Sequence, residues 1–343
     1  MKNRLSKIIL KIIRIVAVVL PFIWILSKIE FSKLVAAFNA IQWWTIPLIL
    51  SITLVTMFLQ GLRWWILLLS FNKELRFIQT ISYHFKSLFY SLVLPTSAAQ
   101  DVVRTLMVVK RAGSSASWST AWIFKITGLI VSFSFSIYGL ILLSDSAVSA
   151  TLVKASLIPF VAICILIAFS FSKKLTTPFR SLARKITPPR YLSKIENLRE
   201  AIYQFRYRKK SVLLTTFITI IVQFLVITGT IMTIKGITGS FFPKECFAYI
   251  PLIEIISMAQ PFTPNGMGVR EALFAMMFKH LKLSSEQLGV YILIANLSIL
   301  MKLVGAIPII CEMILNFNTN HKNNTIKSRC KNSSQKSANS TLQ

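Results

Sequence analysis

Long apolar runs, broken by short basic stretches, fill the chain almost from end to end. They fall at residues 8–27, 44–71, 80–103, 119–144, 151–171, 211–235, 247–281 and 287–314. A helix needs about 20 predominantly apolar residues to cross a bilayer core about 30 Å thick. Eight such segments predict an all-α polytopic membrane protein. After Phe317 the chain turns Asn-, Ser- and Lys-rich. Such a composition cannot bury a core. The pattern therefore predicts one membrane domain over residues 1–316 and a disordered, basic tail over 317–343.

Basic residues give these segments a direction. Residues 1–14 hold five basic residues and no acid, residues 173–210 hold twelve against two, and the tail holds five against none. By the positive-inside rule all three are expected in the cytoplasm, with both termini inside a cytoplasmic (inner) membrane. The first apolar run lacks a small-residue cleavage site, which predicts an uncleaved first span. Trp43, Trp44, Trp64, Trp65, Trp118 and Trp122 lie near segment ends, where interfacial aromatics are expected.

Simple counting then conflicts with charge. If 80–103 crossed the membrane, the basic runs Lys73–Arg76 and Arg104–Arg111 would lie on opposite sides. The conflict disappears if 80–103 dips in and returns. The same reasoning makes 247–281 a hairpin entered from outside, at the cost of leaving Lys279 and Lys282 external. The expectation is about six full spans plus two re-entrant hairpins. Within the basic cytoplasmic loop 173–210, Ile195, Leu198, Ile202 and Phe205 recur at helical spacing among Lys194, Arg199, Arg206 and Arg208. That pattern suits an amphipathic helix, lying either on the inner leaflet or on the protein's own cytoplasmic face.

Composition narrows the function classes. Hydrophobic residues make up 54% of the 343, only 15% are charged, and mean hydropathy is +0.65. Soluble domains carry about 25% charged residues. The net charge of +28 arises from basic residues between apolar spans, so anionic membrane lipids are the expected partner and nucleic acid is not. Cys164, Cys246, Cys311 and Cys330 lack metal-ligand spacing, and buried thiols are expected. No HExxH, P-loop, CxxC or nucleophile-elbow pattern occurs, so neither metal, cofactor nor catalytic residues are expected.

Two polar clusters interrupt the apolar sequence. One runs from Pro95 through Asp101 to Arg104; the other runs from Pro261 through Pro264, Gly266 and Gly268 to Arg270 and Glu271. In both, the arginine lies nine positions after the first proline. Proline and glycine break helical bonding, which lipid cannot restore. Broken helices expose unpaired N–H groups that favour an anion, and arginine adds a fork suited to phosphate. A lipid headgroup bound by Arg104, Asp101, Arg270 and Glu271 is one expectation, with Pro95, Pro261, Pro264, Gly266 and Gly268 as the turns. Structural pairing of Asp101 with Arg104, and of Arg270 with Glu271, is the other.

Lys125 precedes Gly128 by three residues, as Lys302 precedes Gly305. This echo suggests an inverted repeat, the arrangement in which transporters bind substrate near the midplane. Arg63, Lys125 and Lys302 join the candidate headgroup ligands. Arg63 has the alternative of snorkelling to an interface. Glu254, a carboxylate inside an apolar run, is a candidate ion or proton site, or a partner for Lys302. Lys86 is a further charge inside an apolar run, 80–103, and His84 in the same run is expected to pack rather than react.

At these clusters the chain resembles the transmembrane region of lysylphosphatidylglycerol synthases, a flippase-like membrane domain. The resemblance rests on Arg63-Trp64, on Pro95 with Asp101 and Arg104, on Pro264 to Glu271, and on Lys302 to Gly305, and spans about residues 10–315. It implies movement of aminoacylated phospholipid between leaflets, or a role in cell-envelope glycolipid pathways. Two departures stand out. Ala98-Ala99-Gln100 replaces a glycine-rich turn, and Phe124-Lys125 replaces an Asp-Arg pair. No soluble aminoacyl-transferase domain follows residue 317, so lipid aminoacylation by this chain alone is not expected.

Three functions remain at this stage. The first is a translocase of a phospholipid or lipid-linked glycan. The second is a non-catalytic partner of a separate envelope-biosynthesis enzyme, with a homo-oligomer also open. The third is a membrane-embedded transferase using Asp101 or Glu271 as base.

Overall fold

The computed structural model describes residues 39, 41–71, 75–94, 99–143, 153, 156–165, 189–260, 266–281, 283–312 and 314. The first apolar run, the tail, Pro95, Pro261 and Pro264 lie outside these residues. Every described element is helical. Four helices are long and apolar enough to cross a membrane: α1 (Thr45–Leu69), α4 (Ser114–Leu142), α7 (Lys209–Thr238) and α10 (Ser285–Glu312). They coincide with four of the apolar segments. The segment 151–171 is described mainly as the short helix α5 (Ser156–Ile165).

The two segments expected to turn back are each divided. The first gives α2 (Phe77–Val93) and α3 (Ala99–Ala112); the second gives α8 (Pro243–Ala259) and α9 (Val269–Met277). None exceeds 17 residues, the short end of what a single span needs. The breaks fall at the two proline clusters. Gly266 and Gly268 hold φ of 73° and 84°, where a Cβ would be strained, so the chain turns into α9 on glycines. Gly113, with φ 83°, is the single residue between α3 and α4.

Helix order repeats. α1 to α4 run long, short, short, long, and α7 to α10 run the same way. α1 packs on α7, α4 packs on α8, and α2 packs on α10. Small residues let these backbones touch, as helix pairs in membranes require. A Cβ at Gly139 of α4 would lie 2.2 Å from the backbone nitrogen of Ala248 in α8. A Cβ at Gly305 of α10 would lie 2.1 Å from the carbonyl oxygen of Phe85 in α2. Ser136 adds a 2.8 Å hydrogen bond to the Ala248 carbonyl, close to Pro251 inside α8.

The amphipathic helix α6 (Pro189–Gln204) turns its apolar side onto the protein. Leu198, Ile202 and the following Phe205 pack with Leu67, Phe71, Ile123 and Phe124. Of the two sequence readings, docking on the protein's own face is the one observed. Two further expectations change. Trp64 is fully buried rather than interfacial. Cys246 is buried, whereas Cys164 and Cys311 are exposed; all three are free thiols.

Candidate functional site

The first half builds a cation-rich cluster. Asp101 lies in the first turn of α3 and bonds Arg104, one turn on, at 2.7 Å. It also meets Lys125 of α4 at 3.3 Å. Arg104 is completely buried, its guanidinium 4.0 Å from the Phe124 ring centre and 5.0 Å from that of Trp64. Arg63 approaches the same Phe124 ring at 3.8 Å and donates to the Phe124 carbonyl and to Thr127 Oγ1. One aromatic ring thus lies against two guanidinium groups, whose flat faces suit it. Arg63 is buried and tied to α4, so the snorkelling alternative is set aside.

Phe124 occupies the position where the resemblance leads one to expect a carboxylate. Arg104 and Lys125 then share Asp101, and Arg63 has no carboxylate partner among the described residues. Arg63 Nε, Arg104 Nε, Arg104 Nη1 and Trp64 Nε1 are buried donors with no acceptor among the described residues. Buried donors are ordinarily paired. A cation-rich site with spare N–H groups can neutralise and hydrogen-bond an anion.

The second half is looser. Glu271 accepts a 2.6 Å bond from the Gly268 N–H, the work of a capping carboxylate at the third helical position. Arg270 reaches Glu271 and the Ala295 carbonyl only at 3.4 Å, and its side chain is 29% exposed. Lys302 sits on a 3-10 stretch of α10, Met301–Ala306, within electrostatic reach of Arg270 and Asp101. Glu254 of α8 accepts from Gln223 Nε2 at 2.9 Å, and Gln223 Oε1 accepts from Ser132 at 2.9 Å.

Two cavities of about 160 and 170 Å3 open onto these groups. Arg63, Gln100, Asp101, Lys125 and Gln223 line the first. Arg270, Tyr291, Ser298 and several threonines line the second. Glu254 and Val226 line both. Of the two arginines expected to share one headgroup, Arg270 lines the second of these cavities and the buried Arg104 lines neither.

Two further polar side chains of α2 are paired or packed. Lys86 of α2 pairs with Glu312 of α10. His84 is buried against Gly61 and Phe85. Among the described residues no group of three His, Cys, Asp or Glu side chains could hold a metal ion.

Chain positions as distant as Arg63 and Lys302 therefore meet in one connected set of charges. Sequence reasoning missed Gln223 and Ser132. Gln223 left a signal, being a lone amide within the apolar run 211–235. Phe124 stood out only as a departure from the resemblance, and nothing in the sequence showed that its ring would lie against two guanidinium groups. No curated protein and no solved structure matches the chain. The family model for the lysylphosphatidylglycerol synthase TM region matches residues 11–305, and the chain belongs to that family.

Proposed function

We propose that the protein translocates a phosphate-bearing lipid, either a phospholipid or a lipid-linked glycan, across the cytoplasmic membrane in which it sits. Family membership supports a membrane lipid-related function. The observation that carries the finer reading is the cluster of Arg63, Arg104 and Lys125 near Asp101, with its buried donors that have no acceptor among the described residues. The headgroup phosphate enters the first cavity against Arg63 and Lys125, with Arg104 held on Asp101 as a fixed charge. Arg270, Glu271 and Lys302 serve the second cavity on the other side of Glu254.

The repeated helix order and the exchanged packing of α4 on α8 and α2 on α10 support an inverted repeat. In that reading α2–α3 and α8–α9 are re-entrant hairpins, both termini are cytoplasmic, and anionic lipids surround the basic loops. A separate envelope-biosynthesis enzyme supplies or uses the cargo.

The transferase alternative is disfavoured by the carboxylates themselves. Asp101 is held by two cations, and Glu271 caps its own helix, so neither is available as a base. The test is reconstitution into vesicles with labelled phospholipid and, separately, labelled polyprenyl phosphate sugar. Exchange between leaflets faster than in protein-free vesicles, lowered by Lys125→Ala, supports translocation. Exchange no faster than the protein-free rate for every lipid tried overturns it.

A further inference from the structure

Glu254 is the one charged side chain that lines both cavities. The arrangement around it does not resemble a structural ion pair. Among the described residues its hydrogen-bond partner is the neutral amide of Gln223, which is itself fixed by Ser132. A carboxylate in an apolar run must be paired, protonated or hydrated. Arg270 lines the second cavity with Glu254 and is held by Glu271 and the Ala295 carbonyl at 3.4 Å, the long end of such contacts.

We propose that Glu254 is a proton-binding site, loaded from one cavity and unloaded into the other, and that its charge state controls Arg270. Oε2 accepts from Gln223, which leaves Oε1 to take the proton. A hydronium ion in one cavity gives its proton to Oε1, an O–H bond forms, and water remains behind. Release into the other cavity reverses the step. The ionised form attracts Arg270 across the second cavity. The neutral form releases Arg270 to an anion.

The helices packed on α8 support this assignment. α4 presents Lys125 and α9 presents Arg270 and Glu271, whereas α7 presents the neutral Gln223, Thr219 and Thr230. Arg63 of α1 and Asp101 of α3 complete the first cavity, and Lys302 of α10 lies near Arg270. Glu254 thus shares one cavity with Arg63 and Lys125 and the other with Arg270, and its neighbours on α7 are neutral. Among the described residues no cluster of His, Cys, Asp or Glu accompanies Glu254.

Only the coupling to transport rests on the translocation reading; proton binding does not. Infrared difference spectra of the purified protein, recorded as pH is lowered, should show a protonated-carboxyl band that shifts in heavy water. Glu254→Gln should abolish that band, and Glu254→Asp should keep it at a shifted pH. A band unchanged in Glu254→Gln, or no titrating band in the natural protein, overturns the proton site. In vesicles carrying fluorescent phosphatidylglycerol, an imposed pH gradient should change the exchange rate several-fold, and Glu254→Gln should remove that dependence. Exchange indifferent to the gradient in the natural protein overturns the coupling. Absence of exchange at every pH strikes instead at the translocation reading, and the infrared band alone then decides the proton site.

Discussion

The two proline clusters look alike in sequence, yet the structure treats their arginines in opposite ways. Arg104 is completely buried, bonded at 2.7 Å and stacked on two rings. Arg270 is partly exposed, held only at 3.4 Å, and opens on a cavity. Their carboxylates differ as well. Asp101 serves two cations, whereas Glu271 serves a backbone N–H. A fixed charge sets a potential, and a loosely held one can move. The first half fixes its arginine among rings and a carboxylate, and the second holds its arginine by longer contacts beside a cavity.

The sharpest attack on this contrast is Asp101→Asn. It leaves Arg104 buried without a counter-charge, and breaking such a pair costs about 3–5 kcal/mol. Thermal unfolding in detergent should reveal a large drop in midpoint or failure to accumulate. A stability unchanged from the natural protein would mean that Arg104 is not locked by Asp101.

Gly305→Val comes next, because its side chain would meet the Phe85 carbonyl. Overpacking of this kind costs about 1–3 kcal/mol, read in the same unfolding measurement. Glu271→Ala removes a cap worth about 1 kcal/mol, while Glu271→Gln, which still offers an oxygen to Gly268, should recover most of it. Arg270→Ala should have the smallest effect on stability, below about 1 kcal/mol for a weak, partly exposed pair. It should nonetheless slow lipid exchange about tenfold or more, the effect of losing one charge-assisted hydrogen bond. Equal destabilisation by Arg270→Ala and Asp101→Asn would erase the contrast.

Hydropathy made the four long helices and the two divided segments legible, because lipid imposes a length and forbids broken backbone. Glu254, Arg63 and Lys125 stood out for the same reason: a charge in an apolar run must have a cause. Pairing was not legible. Lys86 finds Glu312 across more than two hundred residues, and Glu254 finds Gln223 rather than a lysine, since packing chose those partners. The role of α6 was open until its apolar stripe met Leu67 and Ile123. Hydrophobic periodicity specifies a buried face and says nothing of whether lipid or protein covers it.

The glycine contacts at Gly139 and Gly305 have a mechanical consequence. Each clasps a short helix of one half to a long helix of the other, so the halves of the chain interlock like folded hands. Any motion that kept these two contacts would move α4 together with α8, and α2 together with α10. Such a motion would carry Glu254 on α8 and Lys125 on α4 as one piece, with Lys302 and its stretch of tighter helix moving alongside α2.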